Sequence, residues 1–67
     1  MERFMIEKPS DITILMERHN LTYQQLGRLI NGDGSNISRV VKGEHDFTKK
    51  LKAKIQSASD ALDGVWG

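Results

Sequence analysis

Ser35, Asn36, Ser38, Arg39 and Lys42 fall in one short stretch, SNISRVVK, interleaved with Ile37, Val40 and Val41. Wound as a helix, such a stretch turns its branched apolar side chains one way and its hydrogen-bonding side chains the other. The polar set suits recognition of a polar polymer. An arginine fork can pair with two acceptors at once, as on the O6 and N7 edge of guanine, and a lysine supplies a point charge for phosphate. Bond-making chemistry finds no such support. Cysteine is absent, no serine stands beside a candidate base, and no glycine loop has phosphate-cradle spacing. His19 and His45 lack paired ligand spacing and read as surface or helix-end residues, so neither a metal nor any other cofactor is expected. Asp60 and Asp63, one turn apart, read as a solvated helix face and not as an acid–base pair. No catalytic residue can be assigned, and an enzyme is not expected.

The elements that must position these side chains are few. A chain of 67 residues makes one domain, with a core thinner than that of a larger protein. Without cysteine it has no disulfide staple, so its stability must come from well-packed helices or from an oligomer. A hydrophobic fraction of 37% with 28% charged residues fits a soluble folded domain. No apolar run reaches the roughly 18 residues of a membrane span, and no secretion signal is visible. The expected location is the cytoplasm, at the nucleoid or in a host cell, with no membrane partner.

Residues 1–10 read as an N-terminal arm that ends around the single proline, Pro9. Ser10 or Asp11 could cap a first helix whose apolar face carries Ile12, Leu15, Met16 and His19, and Asn20 could end it in the left-handed conformation. Thr22 and Gln25 then form a capping box, flanked by Leu21 and Leu26 as a hydrophobic staple. A short helix is predicted over about residues 23–30, burying Leu26, Leu29 and Ile30. Asn31, Gly32, Asp33 and Gly34 stop it, and Asp33 or Ser35 could cap the next helix over residues 35–42, which Gly43 closes. Thr48 caps a last helix with a stripe of Leu51, Ile55, Ala58 and Leu62, ended by Gly64. The expected domain is residues 11–63, and residues 64–67 form a tail.

Charge is unevenly distributed along this plan. The total is +1, but residues 21–54 hold Arg28, Arg39, Lys42, Lys49, Lys50, Lys52 and Lys54 against only Asp33, Glu44 and Asp46. Residues 55–67 hold Asp60 and Asp63 alone. The basic middle is either a phosphate-facing surface or the solvated face of a lysine-rich helix.

Two short helices joined by a three- or four-residue glycine-containing turn make a helix-turn-helix, here over residues 22–43. Gly27 supplies a small residue for a close crossing, and Leu26, Ile30, Ile37 and Val40 can seal it. The stretch LTYQQLGRLINGDGSNISRVVKG, residues 21–43, resembles the helix-turn-helix of the Cro-type phage repressor superfamily, the lambda-repressor-like domains. Residues 37–62, ISRVVKGEHDFTKKLKAKIQSASDAL, are similar to the headpiece of lac-type repressors. The helix before the motif favours the phage-repressor arrangement. Where that family carries a branched apolar residue in the turn, this chain has Gly32.

The resemblance implies an all-α bundle of four helices, or five, containing the helix-turn-helix. It implies phosphate contacts at Thr22, Tyr23 and Gln24, and base reading from Gly34, Ser35 and Arg39, with Ser38 adjacent. Further phosphate contacts fall to Asn36 and Lys42, and to Lys49 or Lys50. The implied function is sequence-specific binding of double-stranded operator DNA by a small repressor, phage-, prophage- or mobile-element-encoded, as a homodimer on two half-sites. A second expectation keeps the fold but makes the partner a protein: an antirepressor, or an inhibitor of a host defence or polymerase component. Phe4, Met5, Ile6 and Trp66 either pack the two ends together over the first and last helices or form a dimer contact.

Overall fold

The computed structural model describes residues 4–32 and 34–64, and in them the chain forms four α-helices with no strand. They are α1 (Pro9–His19), α2 (Tyr23–Leu29), α3 (Gly34–Lys42) and α4 (Lys49–Leu62). Among the described residues no helix is long and apolar enough to cross a membrane. Asp33, a possible cap for α3, and Trp66 lie outside the described residues.

The starts of α2 and α4 follow the capping chemistry of the sequence. The Gln25 N–H donates to Thr22 Oγ1 at 3.2 Å, and the Thr22 N–H donates to Gln25 Oε1 at 2.9 Å. In α4 the Leu51 N–H donates to Thr48 Oγ1 at 3.2 Å. The start of α1 differs from expectation. Pro9 and Ser10 belong to the helix, and Asp11 sits in its first turn instead of ahead of it. Proline fits a first helical position because the amide it lacks would have no intrahelical partner there. Asp11 Oδ2 then reaches back to accept from the Glu7 and Lys8 amides at 2.9 and 3.0 Å. Those bonds, that from Glu7 foremost, hold the Asp11 carboxyl below its ordinary value.

The first three helices end alike. Asn20, Asn31 and Gly43 take positive φ angles of 54°, 57° and 82°. The amide after each returns to a carbonyl five residues back: Leu21 to Met16, Gly32 to Gly27 and Glu44 to Arg39, each at 2.8 Å. This is the Schellman closure, which satisfies terminal carbonyls and turns the chain sharply. It lets α3 follow α2 after a short turn.

Nine apolar side chains are buried together: Ile6, Ile12, Leu15, Leu26, Ile30, Ile37, Val40, Ile55 and Ala58. They come from the arm and all four helices, with α3 packed against both α2 and α1. Leu29, expected inside, is 50% exposed. On a seven-residue helix Leu26, Gly27 and Ile30 define the inward face, and a 100° step per residue carries Leu29 off its edge.

Asp60 departs from expectation in the opposite sense. It is buried, not solvated, because the arm covers its face of α4. Gln56, also buried, accepts from the Ile6 N–H at 2.7 Å through Oε1. Its Nε2 donates to the Phe4 carbonyl at 2.8 Å and to Asp60 Oδ1 at 3.0 Å. One amide side chain thus bridges the arm's backbone and a buried carboxylate. Beside it His19 Nε2 lies 2.8 Å from Asp63 Oδ1, and the Arg18 guanidinium reaches Asp63 at 3.5 Å and stacks 5.0 Å from the Phe4 ring centre. Asp63 is therefore another pinned group and not a free face residue. Of the arm's apolar residues Ile6 is fully buried, Phe4 packs at the edge of the core and Met5 is exposed.

Candidate functional site

Ile37 and Val40 anchor α3 in the core and so fix which way the rest of the helix faces. Ser35, Arg39 and Lys42 are all exposed, and at i, i+4 and i+7 they share the face turned from that anchor. Asn36 is exposed at one side of the stripe, and Ser38 is half-buried at the other. Among the described residues neither Arg39 nor Lys42 joins an ion pair or a side-chain hydrogen bond. A guanidinium held on a rigid helix without a carboxylate partner is available for an external acceptor.

Gly34, expected among the base-reading positions, also meets a packing constraint. A Cβ built there would lie 2.6 Å from the Tyr23 carbonyl oxygen, 2.8 Å from its carbon and 3.0 Å from Gln24 Cα. The start of α3 is pressed against the backbone at the start of α2, and no side chain fits between them. Close crossing was expected at Gly27, which is buried, but Gly34 shares that need. No pattern of residue types could reveal this, since a glycine after a turn usually serves a backbone angle. At Gly32, by contrast, a Cβ would meet only the Ile30 side chain, at an ordinary 3.6 Å.

The close approach creates a shallow depression lined by Tyr23, Gln24, Gly34 and Ser35. It brings two residues expected at phosphate beside two expected at base edges. Thr22, also expected at phosphate, is exposed, but its backbone amide is taken by Gln25. Its hydroxyl accepts from Gln25 and keeps its own proton to donate.

On the opposite flank of α3, Asn36 shares a second depression with His45, Thr48, Lys50, Leu51 and Lys54. Asn36 and Lys50 were expected at phosphate, whereas His45, Thr48 and Lys54 were not. Lys54 was findable, because it follows Lys50 by four residues on one helix. Lys49 is exposed on the first turn of α4 but does not line this depression. No acidic residue occupies that first turn. Lysines at a helix N-terminus oppose the helix dipole, a small cost that an external anion would offset.

Among the described residues no group of His, Cys, Asp or Glu could hold a metal ion. Comparison of the chain with models of protein families, with curated proteins and with solved structures finds no match.

Proposed function

We propose that this protein binds double-stranded DNA sequence-specifically through α3, as a small transcriptional repressor. The carrying observation is the exposed Ser35, Arg39 and Lys42 face, flanked on one side by Tyr23 and Gln24 and on the other by Asn36, Lys50 and Lys54. A helix of this kind enters a major groove about 12 Å wide, and groups on its flanks meet the two bordering backbones. In this role α2 and α3 act as a helix-turn-helix of the lambda-repressor type. Arg39 reads guanine, Ser35 and Ser38 contact neighbouring base edges, and Lys42, Lys49, Lys50 and Asn36 hold phosphates. Tyr23, Gln24 and the Thr22 hydroxyl hold the strand on the other side. Gly34 gives no side-chain contact and serves by letting α3 approach α2. In this proposal it acts as a homodimer on two half-sites, encoded by a phage, prophage or mobile element.

Selection of bound fragments from a random duplex pool tests the proposal. The parent should enrich a defined motif, and Arg39→Ala should lose preference at one guanine, by about 1–3 kcal/mol. Equal enrichment by the variant would remove Arg39 from the recognition set.

One observation favours a protein partner, as for an antirepressor or an inhibitor of a host component. Leu29 is half exposed and joins Ile30, Asn31, Lys54, Ser57, Ala58 and Ala61 around a mainly apolar groove. If salt-sensitive DNA binding is absent, this groove becomes the site to probe.

A further inference from the structure

On the basis of the DNA-binding function above, we propose that His45 is a titratable phosphate contact, so that protonating its imidazole tightens binding to duplex DNA. His45 lines the depression with Asn36 from α3 and with Thr48, Lys50, Leu51 and Lys54 from the start of α4. No carboxylate is among these groups. Glu44 and Asp46 flank His45 in its own loop, are exposed, and do not line the depression. The charged side chains that line the depression with His45 are thus Lys50 and Lys54 of α4, while α3 contributes the neutral amide of Asn36.

Both ends of the loop are fixed. Gly43 closes α3 at a φ of 82°, with the Glu44 N–H bonded to the Arg39 carbonyl at 2.8 Å. Thr48 caps α4 and keeps its hydroxyl proton for an outside acceptor. Asn36 of α3, His45 of the loop and Lys50 and Lys54 of α4 thus line one recess with Leu51, on the flank of α3 where a backbone strand would run.

A phosphodiester in the recess keeps its negative charge across the neutral range, and lysines stay protonated throughout it. Among the side chains of this recess, the imidazole is the one able to take up a proton on binding in that range. A phosphate beside it favours the imidazolium, and the complex then holds more protons than the free partners. By linkage, affinity rises as pH falls. If the contact favours the imidazolium by about one pH unit, affinity should rise several-fold, up to about tenfold, per bound chain between pH 8 and pH 6.

The test measures equilibrium binding of the full chain to a fluorescein-labelled mixed-sequence duplex at pH 6 and pH 8, at constant ionic strength, beside His45→Gln. The parent should tighten several-fold toward pH 6. His45→Gln should lose most of that gain, a difference in pH dependence that cancels any contribution from His19. Equal pH dependence in both proteins would overturn the inference and leave DNA binding standing. Absence of salt-sensitive binding at either pH would overturn DNA binding and this inference together. As a second measurement, the His45 ring proton should titrate at higher pH in the duplex complex than in the free protein; an unmoved titration would overturn the proposal.

Discussion

The end of the molecule where α4 meets the arm and the face around α3 use the same residue types to opposite ends. At the arm, charged and amide groups are turned on one another. Gln56 bridges the arm's backbone to buried Asp60, and Asp63 holds both Arg18 and His19. Around α3, Arg39 and Lys42 are exposed and form no ion pair among the described residues, and Lys50 and Lys54 line an open recess. The contrast separates two roles for polarity in a small domain. Paired and covered, it ties the arm to α4; exposed on a rigid helix, it is open to the external acceptor that the proposed function requires.

Substitutions on the two sides should therefore fail differently. Gln56→Leu should have the largest effect, because it strands the Ile6 amide, the Phe4 carbonyl and part of the Asp60 carboxylate at once. With each stranded group costing about 1–3 kcal/mol, urea melts should show a loss of at least about 3 kcal/mol. The protein that remains folded should bind DNA with unchanged affinity. Gly34→Val tests the junction between the regions. Overpacking of this kind costs about 1–3 kcal/mol, and here it should also displace α3 from α2 and weaken DNA binding beyond the stability loss.

Arg39→Ala should invert that pattern. Stability should stay within about 0.5 kcal/mol of the parent, as for other exposed sites, while discrimination among duplex sequences falls. Lys50→Ala should weaken binding to all duplexes alike and reduce the magnitude of the salt slope of log K by about one.

The smallest effect belongs to Asp11. Its carboxyl is lowered by accepting from the Glu7 and Lys8 amides. A lowered group stabilises the fold above its unfolded value, near 3.8, and that stabilisation is lost as pH falls through the folded value. Asp11→Asn should be slightly less stable than the parent at neutral pH, and acid melts should show the gap closing below about pH 4.

Local chemistry explains which parts could be foreseen. Thr22 with Gln25, Thr48, Asn20, Asn31 and Gly43 act through their own neighbours, and each does in the fold what its residue type favours. The inward positions of Ile12, Leu15, Ile37 and Val40 follow from helical spacing. What could not be foreseen depends on pieces distant in sequence. Asp60 and Gln56 are covered by an arm some fifty residues earlier, an interaction that no periodicity encodes. Gly34 is required by the Tyr23 carbonyl across the turn, and Leu29 is exposed because its helix is too short to bury a wider stripe. Within the candidate site, the family resemblance implies Asn36 and Lys50 as separate phosphate contacts. Their meeting around His45 and Lys54 depends on how α4 is set against α3.

Backbone amide shifts recorded while duplex DNA is added would show whether α3 is the binding face. Changes should concentrate at Ser35, Asn36, Arg39, Lys42 and Lys50, with Tyr23 and Gln24 on the far flank and little change at Gln56 or Asp63. Shifts centred on Leu29, Ala58 and Ala61, or none under low-salt conditions, would contradict binding through α3.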